Sequence, residues 1–334
     1  MTHLVRILAA SAFLLSVTAQ ANEFTTIDCP GSEGTTAANS INAARQIVGY
    51  CKVNGVIVSF LRSPEGGIRT FSAGPGVTVT IATDSNDLGQ VTGSFTGNGI
   101  SQSFVLDGTE ITQFNVPGAN GTVPVAINAS GSVAGYYATS NNSVLGFVRD
   151  PAGNISTYAA PGSTNVSPMG INASGEVTGS FLTTQWHGYI RDSVGNITMI
   201  DFPGSTGTFP VAINSSGEIT GSARNAENGY IGFTRNAAGQ FVSFTAPGAG
   251  SANFAGTFPF SINDGGEVTG SGLTVDEVTF SFAQTASGSL VEFQDPLKAV
   301  SPQYGTFARK VNSLGNTVGY YYDAGGNRHG FLRE

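Results

Sequence analysis

One phrase recurs along the chain at near-constant spacing, and that recurrence limits the fold more than any other feature. INASGEVTGSF begins at Ile171, with close relatives INSSGEITGSA at Ile213, INASGSVAGYY at Ile127 and INDGGEVTGSG at Ile262. Looser copies are INAARQIVGYC at Ile41, SNDLGQVTGSF at Ser85 and VNSLGNTVGYY at Val311. Aligned on the asparagine, the copies fall at Asn42, Asn86, Asn128, Asn172, Asn214, Asn263 and Asn312, spaced by 44, 42, 44, 42, 49 and 49 residues. A fixed period of this length marks an architecture whose small units cannot each bury an apolar face alone and must stack on their neighbours.

Each copy contains four short pieces. An apolar piece ends at the asparagine (Val211-Ala212-Ile213-Asn214), and an alternating piece follows (Glu218 to Ser222). A third piece carries an aromatic and often an arginine (Gly232-Phe233-Thr234-Arg235), and a fourth (Phe241 to Phe244) runs toward a Pro-Gly pair. Period-two alternation, β-branched and aromatic enrichment, and Gly/Asn/Pro punctuation predict strands. The NxxG junction suits a tight turn, since Asn can bond nearby backbone and Gly takes positive φ cheaply. RDPAGN (Arg149 to Asn154) and RNAAGQ (Arg235 to Gln240) supply a second short turn per copy. The expectation is an all-β fold: a seven-bladed β-propeller of four-stranded antiparallel blades. An open β-solenoid is the alternative, disfavoured because its coils are much shorter than these repeats.

The two chain ends sharpen that expectation. The last copy stops at RHGFLRE, after its third strand, whereas the chain after residue 21 begins with an unassigned fourth strand and corner. FTTIDCPG (Phe24 to Gly31) matches ITMIDFPG (Ile197 to Gly204), so the N-terminal strand is expected to complete the last blade. INxxGxxxG, the HGF-like tripeptides His187-Gly188-Tyr189 and His329-Gly330-Phe331, and FTTIDxPG together resemble the HAF-type extracellular repeats of exported bacterial proteins, over essentially all of residues 22–334. That resemblance implies an architecture and an export habit, and carries no catalytic residues.

Within the repeats, Phe60, Phe104, Phe147, Tyr189, Phe233, Phe282 and Phe331 occupy one third-strand position, which predicts packing between blades. Arg62, Arg149, Arg191, Arg235 and Arg333 close third strands, and Glu176, Glu218 and Glu267 open second strands. Antiparallel pairing is expected to set Arg191 opposite Glu176 and Arg235 opposite Glu218.

Residues 1–21 read as a secretory signal peptide: Arg6, an apolar run from Ile7 to Val17, then Ala19-Gln20-Ala21. A secreted or periplasmic monomer of one domain, 22–334, is expected, with no membrane span. The net charge of −8 and 11% charged residues leave no basic footprint for nucleic acid. Cys29 and Cys51 are a candidate disulfide in an oxidising compartment.

The variable second-to-third loops and inter-blade connections are the expected recognition face. Trp186, His187, Arg224, Glu227, Asp276, Glu277, Asp323 and Arg328 fall there, in four consecutive repeats, with the longer connections near Phe254 and from Lys298 to Tyr304. They suit a protein or glycan partner. No HExxH, CxxC or GxSxG occurs, so no metal, cofactor or catalytic residue is assigned. The leading reading is a non-catalytic binding or scaffold module. The alternative is a polysaccharide-directed hydrolase or lyase, for which Glu227, Asp276, Glu277 and Asp323 would have to face one another across a depression.

Overall fold

The structure, a computed structural model, describes residues 23–97, 99–299 and 305–334; the expected leader and Tyr304 lie outside them. Every regular element among the described residues is a β-strand. The fifth repeat shows the plan: Gly207–Ile213, Ile219–Arg224, Tyr230–Arg235 and Phe241–Phe244 pair in sequence order, each antiparallel to the next. The first repeat repeats it with Ala37–Ile41, Ile47–Val53, Val56–Arg62 and Ile68–Phe71. In the last repeat Thr306–Val311, Thr317–Tyr322 and Arg328–Arg333 pair likewise. The fourth place there is taken by Phe24–Ile27, in register from Phe24 opposite Arg333 to Ile27 opposite Gly330. A disulfide between Cys29 and Cys51 ties this N-terminal segment to the first repeat, and Arg45 pairs with Glu334.

The turn asparagines do two jobs. Asn214 Oδ1 accepts the backbone N–H groups of Ser216 and Glu218 at 3.2 and 2.9 Å, which shapes its own turn. Its Nδ2 donates to the carbonyl of Asn263, the same residue one repeat on, at 3.1 Å. The series runs from Asn42 to Asn86, Asn128, Asn172, Asn214, Asn263 and Asn312, and Asn312 donates to the carbonyl of Asn42 at 3.0 Å. All seven asparagines are buried, so each amide satisfies a carbonyl that would otherwise lose its solvent partner.

Apolar cores form between sheets rather than within them. Phe60, Phe104, Phe147, Tyr189, Phe233, Phe282 and Phe331 are all fully buried. Phe104, Phe147, Tyr189 and Phe282 each meet a fourth-strand ring of the preceding repeat edge-on, at 5.8 to 6.2 Å. Each such ring contributes roughly 1.5–3 kcal/mol by transfer from water. The second glycine of the repeat phrase makes room: a Cβ on Gly221 would lie 2.3 Å from the Phe209 carbonyl and 2.8 Å from the Phe233 ring.

The expected Arg–Glu column is not an ion-pair column. Arg191 lies opposite Val177 and Arg235 opposite Ile219, because the glutamates sit one residue earlier, in the turn rather than the ladder. Glu176, Glu218 and Glu267 instead accept the turn asparagine amides at 2.7 to 3.3 Å. The guanidinium groups of Arg149, Arg191 and Arg333 lie over Phe114, Tyr158 and Phe293 of the preceding repeat, at 4.4 to 5.0 Å, a contact worth about 0.5–1 kcal/mol where exposed.

Candidate functional site

In every repeat the first strand slips register against the second three residues before the asparagine, so one residue has no partner opposite it. These bulged residues are Asn39, Thr83, Val125, Met169, Val211, Phe260 and Arg309. A bulge re-aims side chains away from the regular alternation. All but Arg309 line one cavity of about 180 Å³ bounded by the first strands of all seven repeats. The backbone device is constant and the residue it presents is different nearly every time.

A second cavity, about 170 Å³, lies on the turn side, against the asparagines and the residues after them. Ile127, Ile171, Ile213 and Ile262 border both cavities. The turn-side cavity is lined by near-repeating residues, whereas the bulge-side cavity carries the irregular chemistry.

Two charged groups meet at the bulge-side cavity. Lys310 Nζ lies 2.8 Å from Asp84 Oδ1, joining the last repeat to the second. Asp84 is 5% exposed. It also accepts the Ser40 hydroxyl at 2.9 Å and the Ile127 N–H at 3.1 Å, so its charge is paired and hydrogen-bonded as burial requires. Beside Lys310, the Arg309 guanidinium donates to the Tyr320 hydroxyl at 3.0 Å and lies over the rings of Phe260 and Tyr320, 5.2 Å from each. Phe307 stacks on Tyr320 at 4.9 Å.

The residues singled out from sequence are placed as follows. Trp186 is half-buried and packs on Phe209 at 6.0 Å; the ring contacts continue through Tyr230 to Phe258. Arg224 donates to Thr206, holding the connection that precedes its own first strand. Glu227, Asp276 and Glu277 are exposed turn residues, and Glu227 uses its carbonyl to accept Asn253 N–H. Arg328 donates to the Tyr50 hydroxyl at 3.0 Å and to the Thr35 carbonyl, and lies over Tyr50 and Tyr320; it joins the last repeat to the first. Phe254 is exposed in its connection. Among the described residues, no hydrogen bond or ion pair joins Glu227, Asp276, Glu277 and Asp323 to one another.

Histidines and corner acids come together instead. His187 Nδ1 lies 2.7 Å from Asp201 and its Nε2 3.0 Å from Thr183. His329 Nδ1 lies 3.0 Å from Asp28 and its Nε2 3.3 Å from Asp323. In the second repeat Gln102 takes the histidine place and accepts from Asn115, in the Asp place, at 3.1 Å. These pairs fasten the Pro-Gly corner to the third strand. Burial of the His329 ring lowers its pKa, but the bonds and charges of Asp28 and Asp323 outweigh that and the net shift is upward. Asp323 also accepts Asn327 and Gly325, which hold it down at about 2; it stays ionised and serves its turn.

No protein-family model and no curated protein matches the sequence. Solved structures do resemble it. Virginiamycin B lyase from Staphylococcus aureus aligns over 93% of this chain and 100% of its own, with TM-score 0.61 and 13% identity. A streptogramin B lyase aligns over 93% and 97%, with TM-score 0.58 and 14% identity. The lectin BP39L from Burkholderia pseudomallei aligns over 87% and 96%, with TM-score 0.52 and 11% identity. At such identities the likeness is one of fold, β-propeller-like and built of four-stranded antiparallel sheets.

Proposed function

We propose that this chain is an exported seven-bladed β-propeller whose last blade is completed by Phe24–Ile27, and that it acts as a binding module for a glycan at the cavity between its first strands. The reading rests chiefly on the bulge. A constant backbone presents six of its seven bulged side chains, of mixed chemistry, to one concavity, which is how a rigid scaffold carries recognition. A concave site mixing hydroxyl, amide and charged groups with the Phe260 ring suits a sugar better than a flat protein face. The HAF-type resemblance favours export.

A hydrolase or lyase on the loop face would need a protonatable carboxyl near a second carboxylate. The exposed turn positions of Glu227, Asp276 and Glu277, and the ionised, turn-bound Asp323, do not favour that arrangement.

Glycan-array screening of the mature protein beside a Met169→Trp variant tests the proposal. Met169 is 42% exposed at the cavity, so an indole there fills space without displacing core. The expected result is a glycan class retained by the parent and lost by the variant. Equal retention by both, or turnover of a retained polysaccharide that one carboxylate substitution abolishes, would contradict it.

A further inference from the structure

The charge at the bulge-side cavity narrows the ligand class. We infer that the cavity takes an acidic sugar, a uronate, with its ring against Phe260 and its carboxylate held by Lys310 at the cavity wall and by Arg309, which lies outside that lining but against Phe260. The inference rests on the proposal that the cavity holds the ligand.

Three observations carry it. Asp84 is fully committed: Ser40, Ile127 and Lys310 all donate to it, so its acceptor capacity faces protein. Lys310 is not committed to the same degree. An ammonium has three N–H donors, the Asp84 contact occupies one, and the side chain remains about a third exposed. Arg309 bonds a neutral hydroxyl and two ring faces, and among the described residues it has no ion pair. At the wall Lys310 is balanced by Asp84, and Arg309 beside Phe260 adds a second cation, an excess of positive charge in a chain whose formal charge is −8.

The placement is a consequence of the bulge. In the last repeat the register slips between Ala308 and Lys310, so the strict alternation of sides breaks there: Lys310 lines the cavity while Arg309 reaches the Phe260 ring. Phe260, the neighbouring repeat's bulged residue, supplies an apolar face directly beside them. Asn39 and Thr83, at the same cavity, donate to the Ala82 and Thr92 carbonyls and leave an amide oxygen and a hydroxyl oxygen to accept from sugar hydroxyls. Carboxylate, hydroxyls and an apolar ring face are the features of a uronate. A neutral hexose would leave the cations unmatched, and a simple carboxylate would leave the Asn39 and Thr83 acceptors unused.

Calorimetric titration of the mature protein with sodium glucuronate, with glucose and with a glucuronate-terminated oligosaccharide tests this, with Arg309→Gln run in parallel. Loss of one charge-assisted contact weakens binding by roughly tenfold or more. The expectation is that glucuronate binds at least about tenfold tighter than glucose, and that Arg309→Gln removes most of that preference while melting with the parent. A tighter oligosaccharide would identify the chain-terminal sugar as the source; equal affinities would identify the free monosaccharide. Lys310→Met should have the same effect; if it fails to fold because Asp84 is left unpaired, Arg309→Gln still decides. Glucose binding as tightly as glucuronate, or glucuronate affinity untouched by Arg309→Gln, overturns the uronate assignment and leaves the glycan reading standing. Failure of both sugars to bind also overturns the assignment, whereas the glycan reading falls only with the Met169→Trp comparison.

Discussion

Two positions three residues apart on the same strand behave in opposite ways. At the turn, Asn42, Asn86, Asn128, Asn172, Asn214, Asn263 and Asn312 are identical, and each donates its amide to the next. At the bulge, Asn39, Thr83, Val125, Met169, Val211, Phe260 and Arg309 differ in size, polarity and charge. The turn residue must satisfy a buried carbonyl of its neighbour, a demand that is the same in every repeat. The bulged residue has no cross-strand partner and, in all but Arg309, faces a cavity, so local packing leaves its identity free. Repetition marks what assembles the molecule, and departure from repetition marks what can read a ligand.

That contrast yields predictions of graded size. The largest effect should follow from the constant framework: Phe147→Ala empties a fully buried ring site and should cost about 3–5 kcal/mol, lowering the thermal midpoint by several degrees, whereas Met169→Ala at the bulge should shift it little. Equal shifts would erase the distinction. Next, reducing Cys29–Cys51, a link of sequence separation 22, should lower stability by roughly 3 kcal/mol. Chemical unfolding of the Cys29→Ser/Cys51→Ser protein against the parent measures it.

Asn214→Ala should cost about 1–3 kcal/mol, because the Asn263 carbonyl and the Ser216 and Glu218 N–H groups lose their partner. Val125→Thr at the bulge should lie within about 0.5 kcal/mol of the parent. Urea midpoints compare the two directly. The smallest effect is pH-dependent. The folded-state pKa of His329 lies above its ordinary 6.5, so its contribution is complete below that value and disappears as pH rises through the folded value. The melting-temperature advantage of the parent over His329→Gln should therefore shrink as pH rises above about 6.5. A constant gap would remove the charge from the His329 contacts with Asp28 and Asp323.

Much of the framework was legible because it repeats. Four strands per copy, the buried aromatic column and the pairing of Phe24–Ile27 with the last third strand all follow from pattern matching between copies. The Arg191–Glu176 pairing was misread because sequence spacing does not reveal where a turn ends and a ladder begins; a single residue moved Glu176 into the turn. The bulge was missed because register is a property of two strands. Its signal was Pro124, Pro168, Pro210 and Pro259, each just before the bulged residue, where a missing N–H is tolerated. The asparagines were read as turn formers, which used only their oxygen. The corner contacts were visible as linked choices within the chain: His187 with Asp201, His329 with Asp28, and Gln102 with Asn115.

The assembly stands on Phe24–Ile27 being the fourth strand of the last repeat. Native-state hydrogen exchange of the mature protein reports this most directly. The backbone amides of Phe24–Ile27 that face Arg328–Arg333 should exchange as slowly as those of the third strand they pair with. Exchange of those amides at the rate of an exposed turn, while Arg328–Arg333 stays protected, would contradict the account.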